Sequence, residues 1–188
     1  TADFFTLDVA AFIGKPSAEA DVKAFVASCS KYMGDLAIPG IEKPLHVSAG
    51  LLEEIASKFL AATQQASEIY QYLAEKKGVG NFVTEVSMDE VESPQTPVYL
   101  LFILKMLADK GVPAQTIAPK FTGRFNKGVD YRGDLQQFAK EFEEDVLVID
   151  YAVKEFGLPE ELKLSVHSGS DKFSIYPIMA DIIKKHDK

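Results

Sequence analysis

Four ionisable side chains stand where short apolar runs give way to polar loops: Asp8, Glu85, Lys120 and His167. Carboxylates, an ammonium and an imidazole are the groups that move protons, bind divalent cations and hold anionic substrates. A buried parallel strand should end in apolar or small residues unless something polar is required there. One such group alone reads as a satisfied buried polar residue. Four together are hard to obtain from packing. The loops beyond them extend the set. After Glu85 runs Ser87-Met88-Asp89-Glu90-Val91-Glu92. Glu92 reads as negative charge for a helix N-terminus, whereas Asp89 and Glu90 are close enough to the strand end to join a site. Lys120, Arg124, Lys127 and Arg132 share one stretch with a single acid, Asp130. Such a run either is a solvated loop or draws an anionic substrate to one mouth. Gly123, Gly128 and Gly133 give it the freedom expected of a lid. After His167, the turn Ser168-Gly169-Ser170-Asp171-Lys172 directly precedes a helix, where backbone N–H groups can hold an anionic oxygen. His46, in a proline-flanked loop, and His186, in a charged tail, read as non-functional.

Several chemistries find no support. Gly78-Val79-Gly80 precedes a strand instead of following one, so it is not a dinucleotide fingerprint. No GxxxxGK[ST], HExxH or CxxC occurs. The single cysteine, Cys29, lies among Ala24, Phe25 and Val26 and reads as a buried thiol, with no partner for an internal disulfide. A metal held by His and carboxylates stays open, because ligands from separate strands leave no linear motif.

The elements that must position these groups repeat in layout. An apolar strand is expected over 4–9, then a helix over 17–33 with Ser17 as N-cap and Gly34 after it. A loop with Pro39-Gly40 and Pro44 follows, then a long helix over 49–77 ended by Gly78. Strand 81–86, helix 98–110 opened by Thr96-Pro97, and strand 115–120 come next. Asp134 with Gln137 resembles a capping box for a helix reaching 156. Gly157, strand 162–167 and a helix over 173–185 complete the chain. Helix, Gly, short strand, loop, helix is the grammar of parallel βαβ units. About four such units are present, near half of a TIM-like (β/α) barrel, which typically needs ~250 residues. The expectation is therefore one α/β domain over 1–188, part of a barrel whose N-terminal part is absent. A complete doubly wound sheet is the alternative.

The 188 residues carry 20 Lys plus Arg against 28 Asp plus Glu, a net charge of −8, with 47% hydrophobic residues. Disorder is excluded by that hydrophobicity. The acidity argues against nucleic acid as main partner, and no apolar run is long enough to span a bilayer. Neither an initiator Met nor a signal peptide opens the chain, so cytoplasm is the expected compartment.

The segments 164–177 and 115–131 carry a resemblance, with Thr84-Glu85-Val86-Ser87-Met88-Asp89-Glu90 and Phe4-Phe5-Thr6-Leu7-Asp8 fitting the same pattern. Together they resemble the tagaturonate epimerase family of bacterial hexuronate breakdown. Members of that family are longer and carry an N-terminal part with further site residues, so the likeness is to the C-terminal portion. It implies a divalent-metal-dependent interconversion of D-tagaturonate and D-fructuronate, which differ at C4. With the ketone at C2, proton abstraction beside it inverts C3, not C4. Retro-aldol cleavage of C3–C4 and re-addition inverts C4 without a nicotinamide. On that reading His167 and Asp8 are metal ligands, and Glu85 and Asp89 are acid/base groups. Lys120 and Arg124 then take the substrate carboxylate, with Ser168, Ser170 and Lys172 also on the substrate. The expected partners are an anionic sugar and either a second copy or the absent N-terminal portion. A metal-dependent aldolase, another sugar isomerase and a non-catalytic sugar-acid binding fragment are the competing readings.

Overall fold

The computed structural model describes residues 2–187. Four parallel strands form one sheet: β1 (Phe4–Asp8), β4 (Val83–Ser87), β5 (Thr116–Ala118) and β6 (Lys163–Leu164), adjacent in chain order. Each is followed by helix. After β1 come α1 (Glu19–Ser28) and α2 (Ala49–Lys77); α3 (Pro97–Asp109) links β4 to β5, α4 (Leu135–Phe156) links β5 to β6, and α5 (Tyr176–Lys185) follows β6. Right-handed crossovers between successive neighbours put all connecting helices on one face. Accordingly α1 packs on α2, α2 on α3, α3 on α4 and α4 on α5.

Local chemistry explains the helix ends. The Ser48 hydroxyl accepts from Leu51 N at 3.1 Å and opens α2. Asp134 accepts from Gln136 N at 2.8 Å and Gln137 N at 3.2 Å and opens α4. Gly157, in the left-handed region at φ 68°, closes it. Helix α3 is apolar around its circumference because it lies under both α2 and α4. Its one buried cation, Lys105, runs its stem along that surface and reaches Asp109 at 2.7 Å.

Leu7, Val86 and Ile117 are buried in the helix-side core. On the opposite face, strand register lines up two rows: Thr6, Glu85 and Thr116, then Asp8, Ser87 and Ala118. A second, smaller core joins Phe121, Tyr131, Phe138, Phe142, Val146, Ile175 and Ile182, and seats the loop after β5 against α4 and α5.

The sheet is open and four-stranded, so the structure shows a parallel α/β fold without a closed barrel. A doubly wound sheet reverses its strand order at a switch point, and this one does not. The expected helix over 17–33 is shorter: α1 starts at Glu19, Ala18 takes the cap position without a side-chain bond, and a single turn follows at 30–32. The expected loop at 34–48 contains an antiparallel pair, β2 (Gly34–Leu36) and β3 (Leu45–Val47). The expected strand over 162–167 shrinks to two residues, extended by one ladder bond, Ser165 N to Ile117 O at 2.8 Å. No helix among the described residues is long and apolar enough to cross a membrane.

Candidate functional site

Glu85 sits in the middle of the polar row and is 5% exposed. Its Oε2 accepts from the Thr6 hydroxyl at 2.7 Å, and its Oε1 from the Thr116 hydroxyl at 3.2 Å. The neighbours on both flanking strands therefore satisfy it. Burial by itself pushes its carboxyl up, but hydroxyl bonds from Thr6, Ser165 and Thr116 and the nearby His167 more than offset this, and its pKa lies below the usual value.

His167 lies three residues beyond β6, and its ring lies between two carboxylates. Nε2 is 3.1 Å from Glu85 Oε2, and Nδ1 is 3.4 Å from both Asp89 Oδ1 and Ser87 Oγ. Ser87 donates to Asp89 at 2.5 Å. Asp89 is thus held on one side by Ser87 and faces the imidazole on the other. Its side chain is 24% exposed, against 6% for Glu85.

Two openings meet at His167 and Asp89. One, of about 390 Å³, is lined by Asp89, Lys120, Arg124, Phe125, Asn126 and His167, among others. The other, about 540 Å³, is lined by Thr6, Asp8, Ser87, Asp89, Glu90, His167 and Ser168 with their neighbours. One mouth therefore has a basic wall and the other an acidic one, with the imidazole and Asp89 common to both. Glu85 lines neither and stands behind the ring. Lys120 lies two residues beyond β5, where Gln95 accepts its backbone N–H at 2.5 Å, so the chain path after the strand is fixed. Arg124 is set by a backbone bridge with Arg132, at 2.9 and 3.2 Å.

Lys172, expected on the substrate, is 2% exposed and turns its ammonium into its own turn, onto Ser170 O at 2.7 Å, Ser170 Oγ at 2.9 Å and Asp171 O at 3.4 Å. The Ser170 hydroxyl accepts from Gly128 N at 2.8 Å, and Ser170 and Lys172 line a separate opening of about 390 Å³. Ser168 does line the acidic mouth, although its hydroxyl is donated to Ser170 O at 2.7 Å. The glycines of the basic loop are not all hinges: a Cβ at Gly123 or Gly133 would strike the Tyr131 phenol, so both make room for that ring. Thr6, Ser87, Thr116, Phe125 and Asn126 were not anticipated. Alternation along β1, β4 and β5 carries the signal for the first three.

The expected metal ligands fit less well. His167, Asp8 and Asp89 offer the right donor chemistry at one mouth, and Asp8 accepts from Ala10 N at 3.2 Å. Yet no three His, Cys, Asp or Glu side chains among the described residues group as a metal site requires. Both ring nitrogens of His167 already face carboxylates. These three side chains do not by themselves make a complete cation site.

Residues 17–187 match the family profile of tagaturonate epimerase (UxaE). The chain is 36% identical over 129 residues to a tagaturonate/fructuronate epimerase of Thermotoga maritima, a stretch covering 69% of this chain and 25% of that protein. It superposes on the glycerol-complexed crystal structure of fructuronate-tagaturonate epimerase UxaE from Cohnella laeviribosi with a TM-score of 0.71 at 28% identity, over 97% of this chain and 38% of that one. Against the native crystal structure of that enzyme the TM-score is 0.70 at 26% identity, with the same coverage. The chain therefore spans between a quarter and two fifths of the length of these relatives.

Proposed function

This chain belongs to the tagaturonate epimerase family, and from that premise we propose that it supplies part of the site of an enzyme interconverting D-tagaturonate and D-fructuronate at C4. One observation carries the reading: Lys120 and Arg124 share a single opening with the His167–Asp89 pair. A uronate has an anionic end and, several bonds away, hydroxyls whose protons must move. A basic wall facing a carboxylate–imidazole pair suits both ends.

In the retro-aldol route the C4 hydroxyl loses its proton. The C3–C4 bond then breaks, and its electrons form an enediolate across C2 and C3. The aldehyde left at C4 turns over and is attacked again by C3, and the oxygen at C4 regains a proton. Asp89 is the exposed carboxylate of the pair and is assigned this proton. Glu85, enclosed and held ionised by its hydroxyl donors, is assigned the orientation of the ring in place of proton transfer. His167, held between Glu85 and Asp89, is assigned the positioning of Asp89 at the mouth. Lys120 and Arg124 hold the carboxylate, so the two fragments stay in register during the turn.

The sheet supports a parallel proposal about architecture. Consecutive strand order, helices on one face and a polar row on the other are what an arc of a (β/α) barrel presents.

Joining this chain to the remainder of a longer family member, incubating it with D-tagaturonate and following the sugar by NMR tests the function. The expected product is D-fructuronate, and a product inverted at C3 would overturn the retro-aldol route. Arg124→Ala should weaken the uronate, as KM or as a binding constant, by about 10- to 100-fold, the typical worth of a charge-assisted hydrogen bond. Unchanged affinity removes Arg124 from the site.

A further inference from the structure

The basic loop is tied down at more points than its exposure suggests. Its neck is the Arg124–Arg132 backbone bridge. Beneath the neck, Tyr131 lies across Gly123 and Gly133 and donates to Thr122 O at 2.9 Å. At its tip, two residues reach over to the turn after His167. Gly128 N donates to the Ser170 hydroxyl at 2.8 Å. The Asp130 carboxylate accepts from Ser174 N at 3.2 Å and from the Ser174 hydroxyl at 3.1 Å.

Lys172 is the unexpected member of this contact. A buried ammonium is costly, and a turn of five residues can be closed without one. Its three acceptors are neutral oxygens of Ser170 and Asp171. The ammonium can only donate, so the Ser170 hydroxyl must accept from it. That leaves another lone pair of the same oxygen for Gly128 N. Lys172 thereby fixes Ser170 as an acceptor toward the loop, and its positive charge also acts on Asp130.

We propose that Lys172 and Asp130 form a charged latch that holds the 124–132 loop on the 168–174 turn and so sets the position of Arg124 over the His167 opening. Lys172 is a positioning residue: it touches Ser170, Ser170 holds Gly128, and the loop carries Arg124. The consequence for substrate rests on the reading of that opening as a uronate site. The latch itself does not.

The experiment has two arms, both on the chain as it stands. In the first, amide hydrogen exchange is followed at Gly128 and Ser174, with Val86 and Ile117 as core references. Lys172→Met should speed exchange at Gly128 by about 10- to 100-fold, leave the references unchanged, and be reversed in large part by Lys172→Arg. Asp130→Asn should do the same at Ser174, and serves in its own right if the Lys172 variant does not fold. Unchanged exchange at both amides overturns the latch. In the second arm, D-tagaturonate is titrated into the wild type and the variants. Affinity should fall about tenfold or more in the latch variants and return in Lys172→Arg, a rescue that loss of packing alone does not predict. If Arg124→Ala abolishes binding while an opened latch leaves it intact, the positioning role is overturned. If the wild type binds no tagaturonate, the uronate reading falls, and the exchange arm still decides the latch.

Discussion

An imidazole between two carboxylates has its orientation settled by its neighbours, and the two acids here differ in kind. Glu85 is buried and fully bonded, so it stays an anion. Asp89 reaches an opening. A third acid shows what the same burial does without partners. Asp145 on α4 is 2% exposed, and its Oδ1 finds no hydrogen-bond partner. Burial, with Glu141 and Glu144 nearby, pushes its pKa well above the usual carboxylate value. In the unfolded chain it titrates near ~4. The folded form holds its proton more tightly, so its contribution to stability is complete below the unfolded value and is lost as pH rises through the folded one. Glu85 acts in the opposite sense: its contribution is present above the unfolded value and is lost as pH falls through its lowered folded pKa. Asp145→Asn should therefore match the wild type in melting temperature near pH 4 and exceed it progressively as pH rises. Parallel melting curves across that range would show that Asp145 has a partner.

At the scale of elements, the basic loop depends on two glycines that its sequence presents as hinges. A methyl group at Gly133 must displace the Tyr131 ring, which packs on Phe125 at 5.1 Å and Phe138 at 5.4 Å between centroids. Gly133→Ala should cost about 1–3 kcal/mol, the usual penalty of overpacking, measured by denaturant unfolding. A cost near zero would mean that the ring has room to shift. The helix–Gly–strand spacing was enough to read the parallel sheet, because glycine caps and apolar runs are local signals. Strand lengths were not legible. In 162–167 the apolar alternation continues past the two residues that pair, so His167 reads as a strand end when it stands on the loop beyond. The three-residue strands β2 and β3 are too short for any period to appear. Among site residues, Lys120 and His167 were legible because each follows an apolar run, Asp89 because it stands just past a strand end, and Arg124 because it belongs to a local basic run. The inward turn of Lys172 was not, since nothing in Ser-Gly-Ser-Asp-Lys tells an ammonium whether to face solvent or its own carbonyls.

For the whole molecule, the main asymmetry is between the two faces of the sheet. Parallel sheets are ordinarily covered on both faces. Here the helices cover one, where Leu7, Val86 and Ile117 are buried, while on β1 Phe4 is 52% exposed and Thr6 and Asp8 are open. The strands at both edges, β1 and β6, each pair on one side only. A face left open along β1 and two edges unpaired among the described residues favour association with whatever supplies the matching strands, a second copy of this chain or the remainder of a longer family member. Association that occurs only in the folded state stabilises it by mass action, so thermal stability depends on protein concentration. For a chain of this size each kcal/mol moves the melting temperature by about 2–4 °C, and a tenfold rise in concentration of a dimerising protein is worth about 1.4 kcal/mol per dimer, or about 0.7 kcal/mol per chain. Melting temperature should therefore climb by about 1–3 °C per decade of concentration, with sedimentation showing a matching rise in mass. A constant melting temperature with monomeric sedimentation would rule out a second copy of this chain as the source of the matching strands.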